Sequence, residues 1–150
     1  MLSLVDQSLH ASGGVTYDAT ERTFAERLRT TLSGPLPPLS MTEEIRPVRT
    51  ALVSASTDVG DVSWVTPTGQ FFAATFVPGV PLHSWQSTAC AGMSIGQKGM
   101  LVAAKTLALS AIELFSDPAK VSAAQAAFTK ARAGREYTSL LPAGAKPLAR

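Results

Sequence analysis

With 150 residues, 45% of them hydrophobic and 16% charged, the chain is long and apolar enough to fold around one core, which excludes an intrinsically disordered class. The net charge is +2 and the basic residues are scattered, so no nucleic-acid partner is expected. One cysteine, Cys90, excludes an internal disulfide framework and fits a reducing compartment; with no leader and no long apolar run, a cytoplasmic location without a membrane span is expected.

Residues 1–17 show little periodicity, and Gly13-Gly14 marks a flexible joint. A helix follows. Asp18 stands at its N-cap with Glu21 in capping-box position, and Phe24, Leu28 and Leu32 share one face. Pro35, Pro37 and Pro38 end it in an extended connector. Val48–Ser56 reads as a short strand, "DVGDVSWV" as a turn and short helix, and Gly69–Val77 as a strong aromatic and β-branched strand. His83–Ala89 reads as a further strand. From Gln97 to Asp117 the chain predicts a long helix whose apolar stripe includes Met100, Leu101, Ala104, Leu107, Ala108, Ala111, Leu114 and Phe115. Asp117-Pro118 opens another helix, with Val121, Ala124, Ala127, Phe128 and Ala131 inward and Gly134 as its stop. The tail is rich in Pro and Gly. The order of elements predicts α/β or α+β, with too few strands for an independent sheet.

Several residues carry possible chemistry. His83 lies in a loop restricted by Pro78, Gly79 and Pro81, where an imidazole is a metal ligand, a general base or a plain surface group. Asp58 and Asp61 lie three apart, which suits helix initiation; Thr57 beside them could join a helix N-terminus in holding an anion. Glu43-Glu44 reads as a solvated pair, Cys90 as a buried inert thiol and His10 as incidental. "GMSIGQKGM" lacks the spacing of a phosphate-binding loop and reads as a close-packing segment, with Lys98 placed to meet an anion. Two histidines cannot supply a two-metal hydrolytic centre, so a metal bound at His83 would need donors from elsewhere.

Taken together, "STDVGDVSWVTPT", "PGVPLHSWQ" and "IGQKGMLVAAKTLAL" resemble the C-terminal part of the M20-type metallopeptidases and amidohydrolases, nearest to the aminobenzoyl-glutamate-hydrolysing branch. The resemblance runs from Tyr17 onward and is strongest from Ser56 to Leu109. It implies a hydrolase of amide bonds next to a carboxylate-bearing amino acid, with two divalent metals (zinc or manganese) on an α/β sandwich and a smaller inserted domain. By the same resemblance His83 is the last metal ligand in the chain, and Thr57 and Asp58 lie beside the substrate. The family's His-x-Asp motif, its Glu-Glu pair and the remaining ligand have no counterpart here, and Gln97 stands where this branch has a histidine. The expectation is therefore an incomplete C-terminal portion of an M20-like catalytic sandwich, from a truncated or split reading frame. Residues 1–17 would be a flexible start left from the inserted domain, 18–142 the catalytic portion and 143–150 an irregular tail. Such a chain would be inactive alone, hold no metal stably, and pair with an N-terminal portion or a homologous subunit to act on a small amide. The alternative is a non-catalytic interaction module that complements a separately encoded portion.

Overall fold

A computed structural model describes residues 1–49, 57–139, 141–142 and 144–146. Among these residues the regular structure is entirely helical: α1 (Leu2–Ser12), α2 (Ala19–Arg29), a 3-10 turn (Leu39–Thr42), α3 (Val59–Val65), α4 (Trp85–Ala91), α5 (Ser94–Ser116) and α6 (Pro118–Arg132). The α/β expectation is thereby corrected, and with it the reading of this chain as part of an α/β sandwich.

The reasons are local and separate. Gly69–Val77 has the composition of a strand, but no described neighbour offers it a ladder, and strand propensity alone does not pair backbone groups. His83–Ala89 is mostly helix because Ser84 and Ser87 cap each other. Ser84 Oγ accepts from the Ser87 N–H at 3.1 Å, and Ser87 Oγ accepts from the Ser84 N–H at 3.3 Å. Of Val48–Ser56, positions 50–56 lie outside the described residues.

Other local signals hold. Asp18 accepts from the Glu21 N–H at 2.9 Å while Glu21 Oε2 accepts from the Asp18 N–H at 2.8 Å, a complete capping box. Asp117 caps α6 through the Ala119 N–H, with Pro118 in the first turn. The low-periodicity start contains α1, whose inward positions Val5 and Ser8 mix apolar and small polar groups. α1 lies along α5, and the Thr106 hydroxyl sits 3.1 Å from the Ser12 hydroxyl where they meet.

The core lies among α2, α4, the start of α5 and the 74–80 segment. Val15, Tyr17, Ala25, Leu28, Val77, Cys90 and Ile95 are buried there. Tyr17 donates to the Phe76 carbonyl at 3.4 Å. At Gly99, α5 presses on this segment so closely that a Cβ would come within 2.7 Å of Thr75 Cγ2 and nearer still to the Ala74 carbonyl.

α5 is turned opposite to its apolar stripe. Thr106 and Ser110 are buried, whereas Leu107 is 60% and Phe115 90% exposed. The face against α1 is thus made of small and hydroxylic residues, and the Leu, Met and Phe face looks outward. Ala124 is the buried position of α6, and Val121, expected inward, is 49% exposed. By length and mean hydropathy α5 is also apolar enough to cross a bilayer, a test that core helices of soluble proteins pass as well.

Candidate functional site

His83 ends the second of two short turns, Pro78-Gly79 and Leu82-His83. Gly79 takes φ +97°, and the Val80 N–H donates to the Val77 carbonyl at 3.0 Å. His83 itself has φ +58°, the left-handed region that a non-glycine residue seldom occupies, and its side chain is exposed. The strain is held from the following residue: Ser84 Oγ donates back to the Pro81 carbonyl at 2.7 Å while capping α4. The proline-rich turn and the cap together fix the backbone on both sides of the imidazole.

α4 is tied to α2 beside this turn. Gln86 Nε2 donates to Thr31 Oγ1 at 3.2 Å. Trp85, next to the turn and 61% exposed, shares an open surface groove with Thr20, Thr23, Phe24, Arg27 and Thr31 of the α2 region.

Thr57 and Asp58 open α3 and are exposed. Asp58 occupies the N-cap position, but its side chain makes no capping bond; Thr57 Oγ1 accepts from the Val59 N–H at 3.3 Å instead. α3 has only seven residues, so its end offers little organised dipole. Its contacts run toward the C-terminal segment. Trp64 stacks on Tyr137 with ring centroids 6.3 Å apart, and the Arg135 guanidinium lies 5.2 Å from the Trp64 ring. Partial burial and the neighbouring Asp61 carboxylate push the Tyr137 phenol up. Asp61 therefore meets a phenol rather than a second metal-ligating side chain.

A strong polar arrangement that the sequence reading missed lies at the junction of α2 and α5. Glu21 is 1% exposed and accepts from Lys98 Nζ and from Ser94 Oγ, each at 2.6 Å, besides the Asp18 N–H. Lys98 Nζ also donates to the Thr16 carbonyl at 3.0 Å. Burial raises the Glu21 pKa, but the donors from Lys98, Ser94 and Asp18 outweigh it and hold the carboxyl below its ordinary value. Every donor is engaged within the chain, so the cluster pins two helices. Lys98 was expected to meet an anion, and that anion is Glu21. The sequence signal was the single glutamate assigned wholly to a cap.

The remaining candidates take ordinary places. Glu43 forms a surface pair with Arg22 at 3.7 Å, and Glu44 is exposed. Cys90 is fully buried; burial pushes its thiol up, against a smaller effect of a hydrogen bond with the Val77 backbone. His10 accompanies Asp6 on the exposed side of α1. Gly96 and Gly99 serve close packing, as "GMSIGQKGM" predicted.

Among the described residues no group of three His, Cys, Asp or Glu side chains is placed to hold a metal ion. One exposed imidazole does not make a divalent-metal centre, which needs several donors in a fixed geometry. The donors described here do not fit such a centre unaided.

No family model matches the chain, and no solved structure matches it. It is related to a subunit of the p-aminobenzoyl-glutamate hydrolase of Escherichia coli (strain K12), with 36% identity over 127 residues. The match takes in 84% of this chain and 25% of the relative, so the chain spans about a quarter of the length of the curated relative it matches.

Proposed function

We propose that this chain is the C-terminal part of an M20-type, metal-dependent amidohydrolase that cleaves the amide bond of aminobenzoyl-glutamate or a similar acyl-amino acid. In this reading the chain supplies one imidazole, His83, to a zinc or manganese site whose other ligands belong to the rest of the enzyme. Thr57 and Asp58 stand near the substrate. The observation that carries the proposal is the 36% identity to a hydrolase subunit across most of this chain. The constrained turn around His83 supports it, because a ligand side chain needs a backbone that does not wander. The donor set described above assigns no catalytic step to this chain by itself, and we propose that it is inactive alone. Its single buried cysteine accords with a cytoplasmic setting.

A chimera tests the reading. This chain replaces the matched quarter of the Escherichia coli subunit, and release of p-aminobenzoate and bound metal are both measured. The proposal expects hydrolysis by the chimera and none by the isolated chain. His83→Ala should lower metal content as well as turnover. Hydrolysis by the isolated chain, or a His83→Ala chimera with undiminished metal and activity, refutes it.

A further inference from the structure

We propose that the outer face of α5 is a docking surface, and that its occupant is the polypeptide corresponding to the part of the related hydrolase subunit outside the match. The proposal rests on reading this chain as part of a larger hydrolase.

Met100, Leu101, Leu107, Ile112 and Phe115 project from one side of α5 and are 53% to 90% exposed. They extend over about 22 Å at the α-helical rise; exposed Lys105, four residues after Leu101 and seven before Ile112, flanks them along one edge. Ala104 and Ala108 lie between them, so a second backbone can approach closely at the centre while the large side chains grip its flanks. A soluble surface seldom leaves such a stripe bare. The opposite face is already committed to α1 through Thr106 and Ser110. Rotating α5 to bury the stripe would break that packing and the Glu21–Lys98 pair, so the cover must come from outside these helices.

The match points to the occupant. It takes in 84% of the 150 residues, so an unbroken match includes all of α5 wherever it begins. The relative thus carries the counterpart of this helix within a polypeptide of which the matched region is 25%. That additional polypeptide is the partner the proposal assigns to the stripe. Large apolar side chains along the stripe, with Lys105 at its edge, suit an interface with an apolar centre and a polar rim.

The test co-expresses the full chain, tagged, with the unmatched portion of the Escherichia coli subunit. Three versions of the chain are compared: unaltered, Leu107→Lys with Ile112→Lys, and Gln7→Lys as an exposed control on α1. Circular dichroism verifies equal helicity. The unaltered and control chains should capture the portion at one to one. The double variant should bind on the order of a hundredfold more weakly, about tenfold for each large apolar side chain withdrawn from the interface. Equal capture by the double variant overturns the assignment of the surface. No capture by the unaltered chain overturns the occupant, as does a stable dimer of the chain alone or its partition onto lipid vesicles, when the double variant abolishes either. Capture without p-aminobenzoate release in the chimera removes the catalytic reading and leaves the interface standing. Hydrolysis by the chimera with undiminished capture by the double variant does the reverse.

Discussion

Lys98→Met removes the ammonium that lies 2.6 Å from Glu21 Oε2 and 3.0 Å from the Thr16 carbonyl, while keeping much of the apolar stem. Glu21 stays where it is, 1% exposed, with Ser94 and the Asp18 N–H as its remaining donors. Breaking a fully buried ion pair costs about 3–5 kcal/mol, but the Lys98 side chain is 39% exposed and water screens part of the attraction. A charge-assisted hydrogen bond to a buried carboxylate is the better guide, which gives about 2 kcal/mol. For a chain of this size that lowers Tm by about 4–8 °C. The pH dependence is the sharper signature. Because the folded-state pKa of Glu21 is depressed, its contribution is full above the unfolded value, ~4.3, and is lost as pH falls through the lower folded value. Urea denaturation followed by far-ultraviolet circular dichroism, at pH 7 and again near pH 3, measures both. The variant's deficit should be full at pH 7 and shrink as pH falls below the unfolded value toward the depressed folded one. An equal deficit at both pH values, or none at pH 7, would refute the claim that this pair pins α2 to α5.

Three further outcomes follow from particular contacts. Gly99→Ala should destabilise by about 1–3 kcal/mol in urea midpoints despite the better helix propensity of alanine, since the new methyl meets backbone at Ala74; an unchanged midpoint would mean that α5 does not cross there. Cys90 should react with a thiol reagent only as fast as the chain unfolds, and rapid labelling of the native protein would contradict its burial. His83→Gly should raise stability by up to about 1 kcal/mol in the isolated chain, because relief at φ +58° outweighs the added freedom of glycine; a loss on denaturation would show that the turn tolerates the imidazole without strain.

What could be read in advance is what depends on near neighbours in sequence. The Asp18–Glu21 box, the Asp117-Pro118 junction and the short helix after Asp58 each rest on groups within a few residues, and each is found. The Ser84–Ser87 box was equally local; aromatic and hydroxylic composition outweighed it and turned α4 into an expected strand. α1 was missed for another reason. Its inward residues include Ser8 and Ser12, whose hydroxyls donate to carbonyls four residues back, so apolar periodicity does not mark its inner side. In the candidate site, the buried thiol was anticipated, but the Glu21–Lys98 pair joins positions 77 apart and no spacing rule finds it.

α5 exposes the limit of patterning most clearly. A stripe of Leu, Met, Ile and Phe states which surface is costly to leave in water, at about 1.5–3 kcal/mol for each large side chain. It does not state what is present to cover that surface. Here α1 offers Ser8 and Ser12 beside a single buried Val5, a surface that suits Thr106 and Ser110 better than a row of leucines. The helix therefore settles on its small-residue side, where Gly96 and Gly99 permit close contact and Lys98 reaches Glu21. Both faces of the helix are consistent with their composition once two different partners are assigned to them. The Thr106–Ser110 side fits the helix it touches here, and the Leu107–Phe115 side fits an apolar surface that the described residues do not supply.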